Sequence, residues 1–316
     1  MCAENAKRVF MVKIHKICAF IVLLLGIGVM AYSGLQVAEG ERVYQEGNAV
    51  YENLRDRVRE NKVLSEVSHE EKPTVYIPKV EINYNEPNTI NNDNYNYNVN
   101  EDENKNENED EVPPEISHEE KPQIYIPKVE INYDELNTIN NDAAAWLYCP
   151  DTVIDYPVMK ASDYSYYINH LPDGTENANG SLFIDYNCAS DFSGQLTVIY
   201  GHHMKSGSMF GTLKKYKGQA YYEKHPVMYL YTEQGDYQME LIYGCVISAG
   251  QWEERGFIYP ENIEELLAYA AHNTTFESAA KYKEGDKLVV LSTCSYEFEY
   301  ARFVVIAILK GQSKKH

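Results

Sequence analysis

The sequence predicts a mainly β domain of the barrel or sandwich type, carried behind an N-terminal membrane-spanning helix and an acidic spacer. Three observations carry this. From about Glu130 onward, short runs rich in β-branched and aromatic residues alternate with Gly and Asp turns. Ile17 to Val37 is a run of 21 residues without a charge. Between these two regions, residues 38–129 hold ten Lys/Arg against twenty-two Asp/Glu, a composition that solvates rather than folds.

Taken in order, residues 1–16 form a basic N-terminus in which Lys7, Arg8, Lys13 and Lys16 precede the apolar run of residues 17–37. The positive-inside rule keeps that end in the cytoplasm and sends the rest of the chain outside. The run is longer than a signal-peptide core and no small-x-small cleavage site follows it, so an uncleaved single-pass anchor in the cell membrane is expected. Glu41 to Val67 places Val43, Val50, Leu54, Val58 and Val67 mostly at helical spacing. That amphipathic stretch suits either a bare stalk or a helix docked on the domain beyond.

Residues 68–93 return as residues 117–142, with 22 of 26 positions identical. Two copies are too few for a solenoid. Only the second copy continues into an apolar strand-rich sequence, AAAWLYCPDTVIDYPV, which marks the first as a duplicated leading edge left in the spacer. Glu101–Glu111 holds seven acids and one lysine, the composition of a flexible disordered tether. Two roles are open to the duplication: lengthening the reach from the membrane, or competition between the copies for one docking site.

The domain of residues 130–316 then reads as strands at Thr152–Val158, Ser181–Ile184, Gln195–Tyr200, Val227–Leu230, Tyr237–Ser248, Leu288–Leu291 and Phe303–Leu309. Helices are expected within Asp134–Trp146, at Ser208–Tyr216 and at Glu261–His272, the last following Pro260 with acids in its first turn. Net charge excludes a basic nucleic-acid footprint. The six cysteines show no CxxC pair and no His/Cys spacing for zinc, so neither metal nor other cofactor is expected. One disulfide among Cys149, Cys188 and Cys245 stays open on spacing alone.

In LVVLSTCSYEFEYARFVVIAIL, Cys294 stands where one strand ends and Arg302 where the next begins, which can bring a thiol beside a guanidinium. A thiol attacks carbonyl carbon as the thiolate, and a histidine with a nearby cation promotes this chemistry. Of the five histidines between residues 130 and 315, His202 follows Gly201 at the end of a strand in YGHHM, with His203 as its rival.

These segments, WLYCPDTVIDYPV, YYINH, GSLFIDY, YGHHM with SGSMFGTL, and LSTC with an arginine eight residues later, together resemble the sortases, and within them class B. The resemblance implies a closed β-barrel with a few inserted helices, in which residues 250–284 wall a substrate groove. It implies Cys294 as nucleophile, His202 as general acid and Arg302 as the residue that holds the substrate and its oxyanion. Ser292, Thr293, Tyr200 and Tyr167 are the expected substrate-binding residues. The implied activity is transpeptidation: cleavage after Thr in a C-terminal sorting motif of a secreted protein, then transfer to an amine of cell-wall peptide or its lipid-linked precursor. A pilin-polymerising sortase is an alternative within the family. An L,D-transpeptidase fits poorly, because 92 residues separate His202 from Cys294. A membrane-tethered β scaffold with an inert Cys294 is the non-enzymatic alternative.

Overall fold

The structure, a computed structural model, describes residues 2–59, 129–160 and 162–313. Lys62–Gln123 forms a second unit outside these residues, and the first repeat copy and the acidic tether lie within it.

The apolar run and the amphipathic stretch as far as Val58 are one continuous helix, α1 (Cys2–Val58); residues 60–67 of the expected stretch lie outside the described residues. Its residues from Phe20 to Val37 are exposed. Farther along, Gly47, Tyr51, Leu54 and Val58 recur at helical spacing and are all buried. This face docks on the domain. The Tyr51 hydroxyl donates to the Gly180 carbonyl, and its ring meets Tyr156 edge-on with centroids 5.1 Å apart. Gly47 is needed for close approach, since a Cβ there would lie 2.5 Å from Asn179 Nδ2. The helix is therefore docked and not a bare stalk.

The described residues on either side of the spacer lie together. The chain leaves after Arg59 and re-enters at Val129, yet Arg59 and Ile131 are bridged and Asn132 N–H donates to Val58 O at 2.8 Å. The residues that flank the segment 60–128 are thus held side by side, and the segment itself, with the expected tether, lies outside the described residues. The second repeat copy ends in α2 (Tyr133–Ile139), capped by Asn132 and seated by the fully buried Leu136. The first copy carries Pro87 in the place of Leu136. It lacks both that side chain and the N–H that Leu136 donates to Asn132 O, which disfavours competition for the site.

Eight strands close a barrel: β1 (Ala143–Tyr148), β2 (Asp155–Met159), β3 (Leu182–Ile184), β4 (Leu196–Tyr200), β5 (Val227–Tyr231), β6 (Gly235–Ser248), β7 (Lys287–Cys294) and β8 (Ala301–Ser313). Around the barrel they run β1-β2-β3-β4-β7-β8-β6-β5, with β2/β3 and β4/β7 parallel and the other pairs antiparallel. Leu288 to Thr293 are all buried, which is why β7 shows as an unbroken apolar run instead of an alternation.

Four helical elements differ from expectation. The helix within Asp134–Trp146 ends at Ile139, and AAAWLY is strand β1, whose Trp146 and Leu147 pair with β5. Ser208–Tyr216 is mostly turn, with a 3-10 helix only at Leu213–Lys217. Short helices α3 (Gln219–Lys224) and α4 (Ala249–Glu254) were not foreseen, whereas α5 (Ile263–Asn273) lies close to its expected place. Cys149, Cys188 and Cys245 are buried free thiols, so the disulfide left open is not formed.

Candidate active site

The parallel pairing of β4 with β7 and the antiparallel pairing of β7 with β8 bring three strand ends together. Tyr200 is in register with Ser292, and Cys294 with Arg302. Gly201 continues the β4 ladder by donating to Ser292 O at 3.1 Å, and Thr293 Oγ1 donates to Gly201 O at 2.7 Å. The two strand ends are thereby stitched, and His202 follows directly. Gly201 is required by close approach and not by a turn, because a Cβ would lie 2.4 Å from the Leu182 side chain and 2.6 Å from Phe210.

Cys294, His202 and Arg302 line one open cavity of about 580 Å³ at this mouth. Cys294 is exposed, unlike Cys149, Cys188 and Cys245, whose thiols burial pushes up and makes poor nucleophiles. Cys245 is pushed up to about 12. The His202 ring lies with Nε2 2.6 Å from the Ile168 carbonyl. A carbonyl only accepts, so Nε2 carries a proton and Nδ1 is the nitrogen left for exchange. Arg302 Nε is buried without a hydrogen-bond partner, and the guanidinium forms no ion pair among the described residues. Its carbon lies 5.6 Å from the centroid of the Tyr200 ring. An unpaired cation beside an exposed thiol is a costly arrangement that an anionic group in the cavity would relieve.

His203 does different work. It is not in the cavity lining; its Nδ1 donates to the Cys294 carbonyl at 2.9 Å, and its ring rests against Tyr296. Among the residues expected to bind substrate, Ser292, Thr293 and Tyr200 line the cavity, and Ser292 Oγ is buried without a partner. Tyr167 does not line it. Its side chain is buried, and its hydroxyl donates to Asp142 and accepts from Asn140, while the next residue, Ile168, reaches the cavity. Tyr166–Ile168 is a 3-10 turn, so adjacent side chains leave in different directions, and it is Ile168 that lines the cavity.

The lining is completed by Trp252, Glu253 and Ile258, from the segment after β6, and by Tyr164, Ile168 and Phe183. Of these, the Gly250–Glu284 segment was singled out by position, but no residue pattern distinguished Trp252 from its neighbours. Among the described residues no cluster of His, Cys, Asp or Glu is arranged to hold a metal ion.

A closed eight-stranded barrel with a thiol, an imidazole and a guanidinium at one mouth has the architecture of the sortases. No family model matches the chain. Its relatives and structural neighbours are class B sortases, as the ordered segments lead one to expect. Sortase B of Listeria monocytogenes is 31% identical over 159 residues, which is 50% of this chain and 64% of the relative, so this chain spans a little under two thirds of that protein. Clostridium perfringens sortase B superposes with a TM-score of 0.53 at 26% identity, covering 56% of this chain and 98% of that one. A Staphylococcus aureus sortase B structure, complexed with MTSET, gives 0.53 at 25% identity over 58% of this chain and 79% of that one.

Proposed function

We propose that the chain is a sortase-type cysteine transpeptidase held at the cell membrane by α1, with its N-terminus in the cytoplasm and its barrel outside. The observation that carries this reading is the convergence of Cys294, His202 and Arg302 on one cavity whose walls are apolar. Among the described residues α1 is the one helix long and apolar enough to cross a bilayer.

In this reading the Cys294 thiolate attacks the carbonyl carbon of Thr in a C-terminal sorting motif, and Arg302 stabilises the resulting oxyanion. The tetrahedral species collapses as the C–N bond breaks, and His202, protonated at both nitrogens, gives its Nδ1 proton to the departing amine. A thioester to Cys294 remains. An amine of cell-wall peptide, or of its lipid-linked precursor, then attacks that thioester, returns a proton to His202 and releases the thiolate. The products are a new amide and the starting enzyme, with no cofactor consumed.

The test is to incubate the protein with a library of sorting-motif peptides and a panel of amines, and to identify joined products by mass. Transfer that disappears in Cys294→Ala and falls roughly 10²–10⁴-fold in His202→Ala is expected. Retained transfer in His202→Ala together with its loss in His203→Ala would move the acid to the neighbouring histidine. The scaffold alternative makes a separate claim, that Cys294 is inert. Peptide mapping after brief MTSET treatment should find Cys294 modified well before Cys149, Cys188 and Cys245; failure of Cys294 to react would favour a scaffold.

A further inference from the structure

Asp185 lies outside the cavity, directly after β3, and is fully buried. Buried carboxylates are rare unless paired or saturated with hydrogen bonds. Asp185 is saturated. Its Oδ1 accepts from the Asn187 backbone N–H at 2.9 Å and from Asn187 Nδ2 at 3.1 Å. Its Oδ2 accepts from two phenols, Tyr164 at 2.8 Å and Tyr200 at 2.9 Å. Lys160 Nζ donates to the Asp185 main-chain carbonyl at 2.6 Å and to Cys188 O at 2.7 Å, which fixes this corner of the barrel.

The two phenols are not equivalent. Tyr200 ends β4, lines the cavity and presents its ring face to the Arg302 guanidinium at 5.6 Å. Arg302 forms no ion pair among the described residues, and its guanidinium lies over this ring. A phenol that donates to a carboxylate gains electron density, and an electron-richer ring attracts a cation more strongly. Burial, and next the neighbouring carboxylate, push the Tyr200 phenol up, so it remains a donor at any working pH.

We propose that Asp185 is a positioning residue for the transfer reaction: through the Tyr200 hydroxyl it orients and polarises the ring that holds Arg302 over the reacting carbonyl. This rests on the reading of Arg302 given above. Asp185 touches neither substrate nor thiol, and its effect passes through one named side chain.

A double-mutant cycle on the full chain tests it. Asp185→Asn keeps the shape and removes the charge, and should lower kcat/KM for transfer about tenfold, the size of a partly desolvated cation–π contact. Alkylation of Cys294 by iodoacetamide should proceed at the wild-type rate in the same variant, because the thiol and barrel are untouched. Tyr200→Phe, which keeps the ring and loses the hydroxyl, should give a similar loss, and Asp185→Asn added to it should cost little more. In an Arg302→Gln background, which lacks the cation, Asp185→Asn should have almost no further effect. Independent, multiplying losses in the Tyr200→Phe or Arg302→Gln background, or a parallel fall in alkylation, would overturn the proposal in favour of a general structural role. Wild-type transfer in Asp185→Asn with transfer abolished in Arg302→Ala would overturn it while leaving the site reading intact. Wild-type transfer in Arg302→Ala would instead remove that site reading itself. If Asp185→Asn does not fold, the Tyr200→Phe and Arg302→Gln pair still decides, since additive losses there would break the link between ring and guanidinium.

Discussion

His203 donates from Nδ1 to the Cys294 carbonyl, and burial holds its imidazole below the ordinary value of 6.5, with the Cys294 hydrogen bond opposing that effect in part. For a base lowered in this way the unfolded chain takes up a proton before the folded one does. Its contribution to stability is complete above about pH 6.5 and is lost as pH falls through the lower folded value. The melting temperature of the wild type should therefore decline more steeply between about pH 7 and pH 5 than that of His203→Gln. Parallel declines would show that His203 does not titrate differently in the two states. The same pair of histidines shows what a residue pattern can reveal. GlyHis at a strand end made His202 a candidate, the resemblance of the ordered segments to the sortases gave it a role, and the structure places it in the cavity lining. The link from Asp185 through Tyr200 to Arg302 was not legible, since it joins β3, β4 and β8 through side chains whose facing depends on the closed barrel.

At the scale of elements, long apolar strands were legible and the boundary between α2 and β1 was not. AAAWLY belongs to a strand-rich sequence, but the expected helix range ran on to Trp146; Ala145, Trp146 and Leu147 are fully buried between β2 and β5, where tertiary context overrides the helix preference of Ala. The part of α1 after its apolar run showed the converse: its spacing was legible, but only the structure supplies the surface that it meets. Tyr51 is the center of that contact, through its ring on Tyr156 and its hydroxyl on Gly180 O, and Gly180 adjoins Ser181, which donates to Tyr167 O beside the carbonyl of Ile168 that receives His202. Tyr51→Phe should cost about 1–2 kcal/mol, because a buried carbonyl loses its donor. Tyr51→Ala should cost about 3–5 kcal/mol by leaving a cavity as well. Denaturant unfolding of the full chain in detergent, followed by a barrel probe such as Trp146 fluorescence, would measure both. Unchanged midpoints would mean that α1 adds nothing to the barrel.

At the scale of the whole molecule, the ends of the spacer bear on what it can do. A tether lengthens reach only if it lies between the two things it separates. Here α1 passes from its apolar run to its barrel contact without a break, and the residues flanking the segment 60–128 are held together by the Arg59–Ile131 bridge and by the ion pairs Arg57–Glu135 and Arg59–Asp155. Replacing residues 62–123 with a short Gly/Ser linker should leave peptide transfer at its wild-type rate, in detergent and at the membrane alike. Stability should rise, because closing a loop costs entropy that grows with the logarithm of its length, and a roughly tenfold shortening is worth about 2 kcal/mol to the docking of α1 and α2 on the barrel. Transfer to peptide in solution and transfer to acceptors on intact cells should be measured side by side. If the shortened chain kept the first and lost the second, the segment would be serving the enzyme at the cell surface in a way that the continuity of α1 does not provide.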